Sequence, residues 1–250
     1  MKYIQKILIK AFELIFKSKK KKEEVIANLI ESSIKKLPPK EKLKFLFNLE
    51  NNIYRLEGKS SVEYGGGLHT KHKHTKYHEF FTENIEEGSK VLDIGCGNGY
   101  LSYDIASKVT DVYVLGIDIS EKNIAFAKKR YKRKNLKFVC GDALKDLPKK
   151  KFDTVVLSNV LEHIEERVNF LKMINKQVKP NKFLIRVPKF DRDWRVPLKK
   201  EIGVDWRLDK THFTEYTKDS FEKEIQKAGL KPIEMKFKWG EIWSIIEPLN

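Results

Sequence analysis

The stretch Val91-Leu92-Asp93-Ile94-Gly95-Cys96-Gly97-Asn98-Gly99-Tyr100 decides the fold. An apolar run opens it, three glycines on alternate positions follow, and Leu101 to Ser107 can continue as a helix, so it reads as a buried strand turning tightly into a helix N-terminus. Such a turn offers backbone N–H groups and a positive dipole end to a ligand. A dinucleotide fold shares the outline, but its third glycine comes one place later, where Tyr100 stands here. Asp93, two residues before the first glycine, would repel a pyrophosphate and suits a ligand carrying an ammonium group. Moving outward, Val112 to Asp118, Leu136 to Asp142, Phe152 to Asn159 and Phe183 to Val187 read as further buried strands. Helical segments at Glu121 to Lys132, capped by Ser120, and Glu166 to Val178 fall between them. Alternating strands and helices argue for a parallel sheet covered on both faces.

The pattern resembles the glycine-rich motif of class I S-adenosylmethionine-dependent methyltransferases, with the likeness covering Lys90 to Val187 well and the C-terminal hairpin loosely. The resemblance implies an α/β, Rossmann-like fold: a mostly parallel seven-stranded sheet with helices on both faces, its edge closed by an antiparallel pair at Lys231 to Lys236 and Glu241 to Glu247. It also implies S-adenosyl-L-methionine as cofactor. Asp118, an acid ending the second strand about 20 residues after the glycines, is expected to hold the ribose diol. Asp142, an acid ending the third strand, is expected at the exocyclic amine of adenine. Further cofactor contacts are expected from Asp93, Gly95, Cys96, Gly97, Gly99, Ile119, Ala143 and Asn159, and from Tyr77 near the methionine carboxylate.

Methyl transfer is a displacement at carbon, so the protein's main task is alignment, with a base where the acceptor is protonated. His163 follows the fourth strand in a Leu-Glu-His sequence that small-molecule methyltransferases also carry, and His212 follows the long segment after the fifth strand. Either can accept a proton near neutral pH, and these two are the catalytic candidates. Some methyltransferases use a metal held by Glu-x-x-Glu-His, but the position three before Glu162 is Asn159, which speaks against that mechanism here. The four histidines between His69 and His78 also raise a metal, yet their spacing fits no zinc pattern and Lys71, Lys73 and Lys76 would repel a cation, so no metal ligand is assigned. The Asn/Asp-Pro-Pro-Tyr/Phe signature and a Pro-Cys nucleophile are both missing, which disfavours DNA base methylation and weakens RNA methylation.

The organisation expected is a basic helical appendage over residues 1–60, a His-rich loop and lead-in helix over 61–89, and the cofactor-binding domain over 90–250 with a substrate loop at 188–211. Of the net charge of +16, residues 1–60 hold half, with 14 Lys and one Arg against seven Glu. The excess permits anionic membrane, nucleic acid or acidic substrates without choosing among them. Ile4, Ile7, Leu8, Ala11, Phe12 and Ile15 share a helical stripe ahead of the run Lys19 to Lys22. Packing on the catalytic domain or a second subunit is the plainer reading of that stripe. Attachment of residues 1–22 to an anionic membrane surface is the other. Helices over Glu23 to Leu37 and Lys40 to Leu56 follow, the second closed by Gly58. The sheet order that the resemblance implies places a strand between the two cysteines, Cys96 and Cys140, so a disulfide is not expected and a reducing cytoplasm fits. The function expected is methylation of an O or N atom of a small, amphiphilic or lipid-linked molecule. An RNA methyltransferase and a non-catalytic cofactor-binding protein are the alternatives; oligomeric state is left open.

Overall fold

The computed structural model describes residues 2–249. Its strands are β1 (Lys90–Ile94), β2 (Tyr113–Asp118), β3 (Leu136–Cys140), β4 (Thr154–Ser158), β5 (Lys182–Pro188), β6 (Leu230–Lys238) and β7 (Glu241–Pro248). They form one sheet in the order β3-β2-β1-β4-β5-β7-β6. The first five pair in parallel, and β7 runs antiparallel to both β5 and β6. The chain order reverses between β1 and β4, so the crevice of a doubly wound sheet lies outside the carboxyl ends of these strands. Register brings Ile94 beside Ile117 and Leu157, and Asp118 beside Cys140, which lines up the sequence candidates along one edge.

Alternation along each strand sorts the core into two layers. Leu92, Ile94, Val155, Leu157, Phe183 and Ile185 bury on one face. Val91, Val114, Val156 and Leu184 bury on the other, together with Tyr77, Phe80 and Phe81. That continuous apolar content is what a strand buried on both faces requires. Helices α6 (Tyr100–Lys108), α7 (Glu121–Arg130), α8 (Arg167–Val178) and α10 (Lys218–Lys227) are the crossovers. Ser120 caps α7 by accepting from the Asn123 amide, and Thr217 with Ser220 forms a reciprocal capping box on α10.

Ahead of the sheet come α1 (Lys2–Ile15), α2 (Lys19–Ile34), α3 (Pro39–Tyr64), α4 (Lys71–Thr75) and α5 (Tyr77–Glu83). The lysine run forms the first turn of α2. Three sequence expectations change here. Helix α3 does not close at Gly58 but runs on to Tyr64 and ends at Gly65. The His-rich segment is mostly helical and not a loop. Residues 188–211 contain α9 (Arg195–Ile202), which packs on α3 through Phe47, Ile202 and Val204.

Of the plainer reading of the first stripe, packing on the catalytic domain is not seen. Helix α1 buries none of its described residues, and Ile4, Ile7, Leu8 and Ile15 are 50–69% exposed. Among the described residues no helix is long and apolar enough to cross a membrane. Cys96 is buried and Cys140 exposed, with β2 between the strands that carry them, and both are free.

Candidate active site

Three positive-φ glycines shape the turn after β1: Gly95 at 68°, Gly97 at 54° and Gly99 at 80°. Each has its own reason. A Cβ on Gly95 would stand 2.6 Å from Val160, and one on Gly99 would stand 2.6 Å from Phe138 and 2.9 Å from Ala127, so both are places of close approach. Nothing lies within 4 Å of a Cβ built on Gly97, whose open side faces away from packed atoms. A loop with this shape leaves backbone N–H groups for a ligand at the N-terminus of α6.

Asp118 is half-buried, and its carboxylate accepts from the Gly97 amide at 2.8 Å and the Ser120 amide at 2.9 Å. It therefore ties the β2 end to the glycine turn; Oδ1 also accepts from the Asn123 side chain at 3.4 Å, and Oδ2 keeps a lone pair for a hydroxyl donor. Ile119 beside it is 73% exposed, an apolar surface at the crevice. Asp142 lies two residues beyond β3; its Oδ1 accepts from the Leu144 amide and its own amide donates to Asp146, so it also organises the turn that includes Ala143. Asp93 is buried under α6 and accepts from the Ser102 hydroxyl. Burial raises its carboxyl to about 7, against the pull of that hydrogen bond. Cys96 is buried, and burial pushes its thiol far up, which excludes it as a nucleophile.

Tyr77 is buried beneath the guanidinium of Arg186, 3.7 Å from its ring centroid, and burial pushes its hydroxyl up to about 12. Its oxygen is 2.8 Å from Nδ1 of His72, which is 3.1 Å from Nε2 of His78; His78 in turn bonds Asp104 on α6 at 2.8 Å. His72 and His78 are thus part of a packed polar cluster fastening α4 and α5 to α6. Burial lowers His72 to about 3, so its ring is neutral. Arg186, one of the functional residues that sequence reasoning missed, is held by Glu241 at 2.6 and 2.8 Å and by Ser158 at 3.1 Å. Its only sequence signal is a lone arginine inside an apolar strand.

A cleft of about 730 Å³ opens beside this edge. Asn159, Glu162, His163 and His212 line it, joined by Glu50, Asn51 and Tyr54 of α3 and by Lys71, Arg195 and Lys199. The structure therefore brings both catalytic candidates together, with their rings 4.6 Å apart edge to face. Each has its tautomer fixed by a neighbour. The Thr211 hydroxyl has one proton and gives it to Asp209 at 2.7 Å, so at 2.9 Å it accepts from Nδ1–H of His163. Glu215, buried and paired with Arg192, accepts from Nδ1–H of His212 at 2.9 Å. Both rings keep Nε2 as a free acceptor, and burial with the neighbouring His212 lowers His163 further. Asn159 has a left-handed φ of 57° and its amide donates to the Arg186 carbonyl, a strained hinge at the end of β4. Glu162 is fully buried, and burial raises its carboxyl to about 8. Glu162, Glu215 and Arg192 were not among the sequence candidates; Arg192 is brought to Glu215 and the two histidines by the fold.

The family of the methyltransferase domain matches residues 85–242. The chain belongs to the S-adenosylmethionine-dependent methyltransferases. Similar to this methyltransferase is the ubiquinone biosynthesis O-methyltransferase of Bradyrhizobium diazoefficiens, 32% identical over 127 residues, 50% of this chain and 49% of that protein. Phosphoethanolamine N-methyltransferase 1 of Arabidopsis thaliana is 33% identical over 147 residues, covering 55% of this chain and 28% of its own length. The matches thus span about half or less of these curated relatives. Among solved structures, the magnesium protoporphyrin IX methyltransferase of Synechocystis PCC 6803 with bound SAH superposes with a TM-score of 0.55 at 19% identity, over 71% of this chain and 84% of that one. Fold class and cofactor agree with the sequence reading. The crevice fits that cofactor chemically: an open glycine turn, a buried carboxylate for an ammonium and a carboxylate with a spare lone pair one strand over.

Proposed function

We propose that the protein transfers the methyl group of S-adenosylmethionine to a hydroxyl oxygen or amine nitrogen of a small amphiphilic molecule bound in the cleft beside Asn159. The observation that carries this reading is the pair His163 and His212, each locked in the tautomer that leaves Nε2 able to take the acceptor's proton. The sulfonium supplies an activated methyl group when bound. Asp118 and the glycine turn position the nucleoside, Asp93 receives the ammonium, and the cleft walls align the acceptor for in-line attack. Both similar relatives are named for methylation at oxygen or nitrogen of small molecules, which supports this acceptor class.

The amphiphilic part of the proposal rests on α1. Its apolar stripe is uncovered, and residues 1–22 hold eight lysines against one glutamate. Apolar insertion and attraction to anionic lipid add, so this end of the chain suits a negatively charged bilayer, where an amphiphilic acceptor would be met. The test is methyl transfer from labelled S-adenosylmethionine to quinol-type hydroxyl and amine acceptors, with and without anionic vesicles. Expected is a methylated acceptor whose formation falls about 10²- to 10⁴-fold in His212→Ala, the range of a lost general base. Transfer only to RNA, or equal rates in the variant, would overturn the reading.

A further inference from the structure

Lysine and arginine side chains line much of the cleft, and all but one of them have an acid at hand. Arg186 is paired with Glu241, Arg192 with Glu215, Arg195 with Glu50 and Asp193, Lys199 with Glu50, and Arg207 with Asp205. Lys71, the first residue of α4, is the exception. Among the described residues its ammonium has no carboxylate within 4.0 Å and no hydrogen-bond acceptor. The acids whose charge reaches it across the cleft are Glu241 and Glu162. Glu241 is already taken, by two nitrogens of Arg186 and by Nε1–H of Trp243. Glu162 is buried with its carboxyl raised to about 8, so at neutral pH it is mostly protonated and has little charge to offer. Desolvation by the cleft walls, and then repulsion from Arg186, lower the pKa of Lys71, as expected of a cation without its anion.

A second feature of the cleft is apolar. Trp239 lines it and is 66% exposed. It stands at the tip of the β6–β7 hairpin with a φ of 55°, followed by Gly240 at 74°, a left-handed pair whose first place ordinarily goes to Asn, Asp or Gly. A bulky residue in that conformation is strained, and such strain persists only where the surroundings enforce it. Here they do. The Gly240 carbonyl accepts from the Lys189 amide at 2.8 Å, and a Cβ on Gly240 would stand 3.0 Å from Arg192, so the turn is fastened to the side chain that holds Glu215. The hairpin thus keeps a costly tryptophan at the cleft and leaves its face open.

We propose that the methyl acceptor carries an acidic group, a carboxylate or a phosphate, that binds Lys71, and a flat apolar body that lies against Trp239. This rests on the reading of the cleft as the acceptor's place and narrows it: the amphiphile is an anion. An ammonium is a compact charge with three donors and suits either acid. An indole face supplies a large apolar area whose geometry favours another ring.

The test is a ligand-observed NMR titration of the full chain, in the presence of S-adenosylhomocysteine, with benzoate, phenyl phosphate and the neutral benzamide. Expected is that at least one of the two acids binds about ten- to 100-fold more tightly than benzamide, the worth of one hydrogen bond to a charged group. Which acid binds tighter tells carboxylate from phosphate. Lys71→Met should erase the preference and Lys71→Arg should keep it, while Lys73→Met, at an exposed position of α4 outside the cleft, should leave it unchanged. Trp239→Asn, which suits the left-handed turn, should weaken all three probes alike. Benzamide binding as tightly as both acids, no binding of any probe, or a preference that survives Lys71→Met would overturn the proposal. None of these readouts involves methyl transfer, so a missing acid preference leaves transfer to a neutral acceptor standing, and absent transfer leaves the acid preference to be read on its own.

Discussion

At the scale of single residues, the account turns on groups whose charge the fold controls. Asp93 is the clearest. Its folded carboxyl sits at about 7 against an ordinary 3.8, so the folded protein keeps a proton that the unfolded chain releases as pH rises above about 4. The folded state binds more protons over that window, and stability falls as pH climbs through it. Asp93→Asn removes this term, so the loss of melting temperature between pH 5 and pH 8 should shrink, by the equivalent of roughly 1–3 kcal/mol. Thermal denaturation at the two pH values checks it, and an unchanged loss would show that Asp93 does not carry the penalty. Asp93, Asp118, His163 and His212 were legible in the sequence because strand ends and glycine turns fix where such residues must fall. Glu215 and Arg186 were not, since Glu215 is held by Arg192, 23 residues away, and Arg186 by Ser158 and Glu241, 28 and 55 residues away, which only the folded chain brings near.

The strands and crossovers were legible because apolar runs, caps and turn glycines all point to the same elements. The glycine turn is the element with least tolerance. Gly99 combines a φ of 80° with a Cβ position already taken by Phe138 and Ala127. Gly99→Ala should therefore cost about 1–3 kcal/mol of stability, measured by denaturant unfolding, as strain and overpacking add. A neutral change would mean that the Phe138 ring moves aside freely. Errors in the sequence reading cluster where local signals conflict with packing. Gly58 looked like a helix end, yet α3 continues through it to Tyr64, since a single glycine inside a helix is tolerated at a modest cost. The segment from His69 to His78 looked like a loop because it has no apolar period; the bond between His72 and His78 and their contact with Tyr100 pack the short helices α4 and α5 instead.

On the scale of the whole molecule, the chain divides its labour between a sheet that holds the cofactor and an N-terminal arm of which only α3 lines the cleft. Because α1 and α2 bury no described residue, removing residues 1–22 should leave the melting temperature within about a degree of the full chain. The same truncation should abolish sedimentation with anionic vesicles, whereas a large drop in melting temperature would mean that α1 packs on the domain or on a second copy. The charge of +16 was visible in composition, but its allocation to a partner was not, because electrostatics alone has no address. The central claim is that the carboxyl edge of β1 and β2 clasps the nucleoside of S-adenosylmethionine, and calorimetric titration with S-adenosylhomocysteine tests it most directly. The account predicts one saturable site whose affinity falls in Asp118→Ala by about 1–3 kcal/mol, roughly five- to 150-fold, through lost hydrogen bonds to the ribose. Absence of binding to the full chain, or equal affinity in the variant, would contradict it.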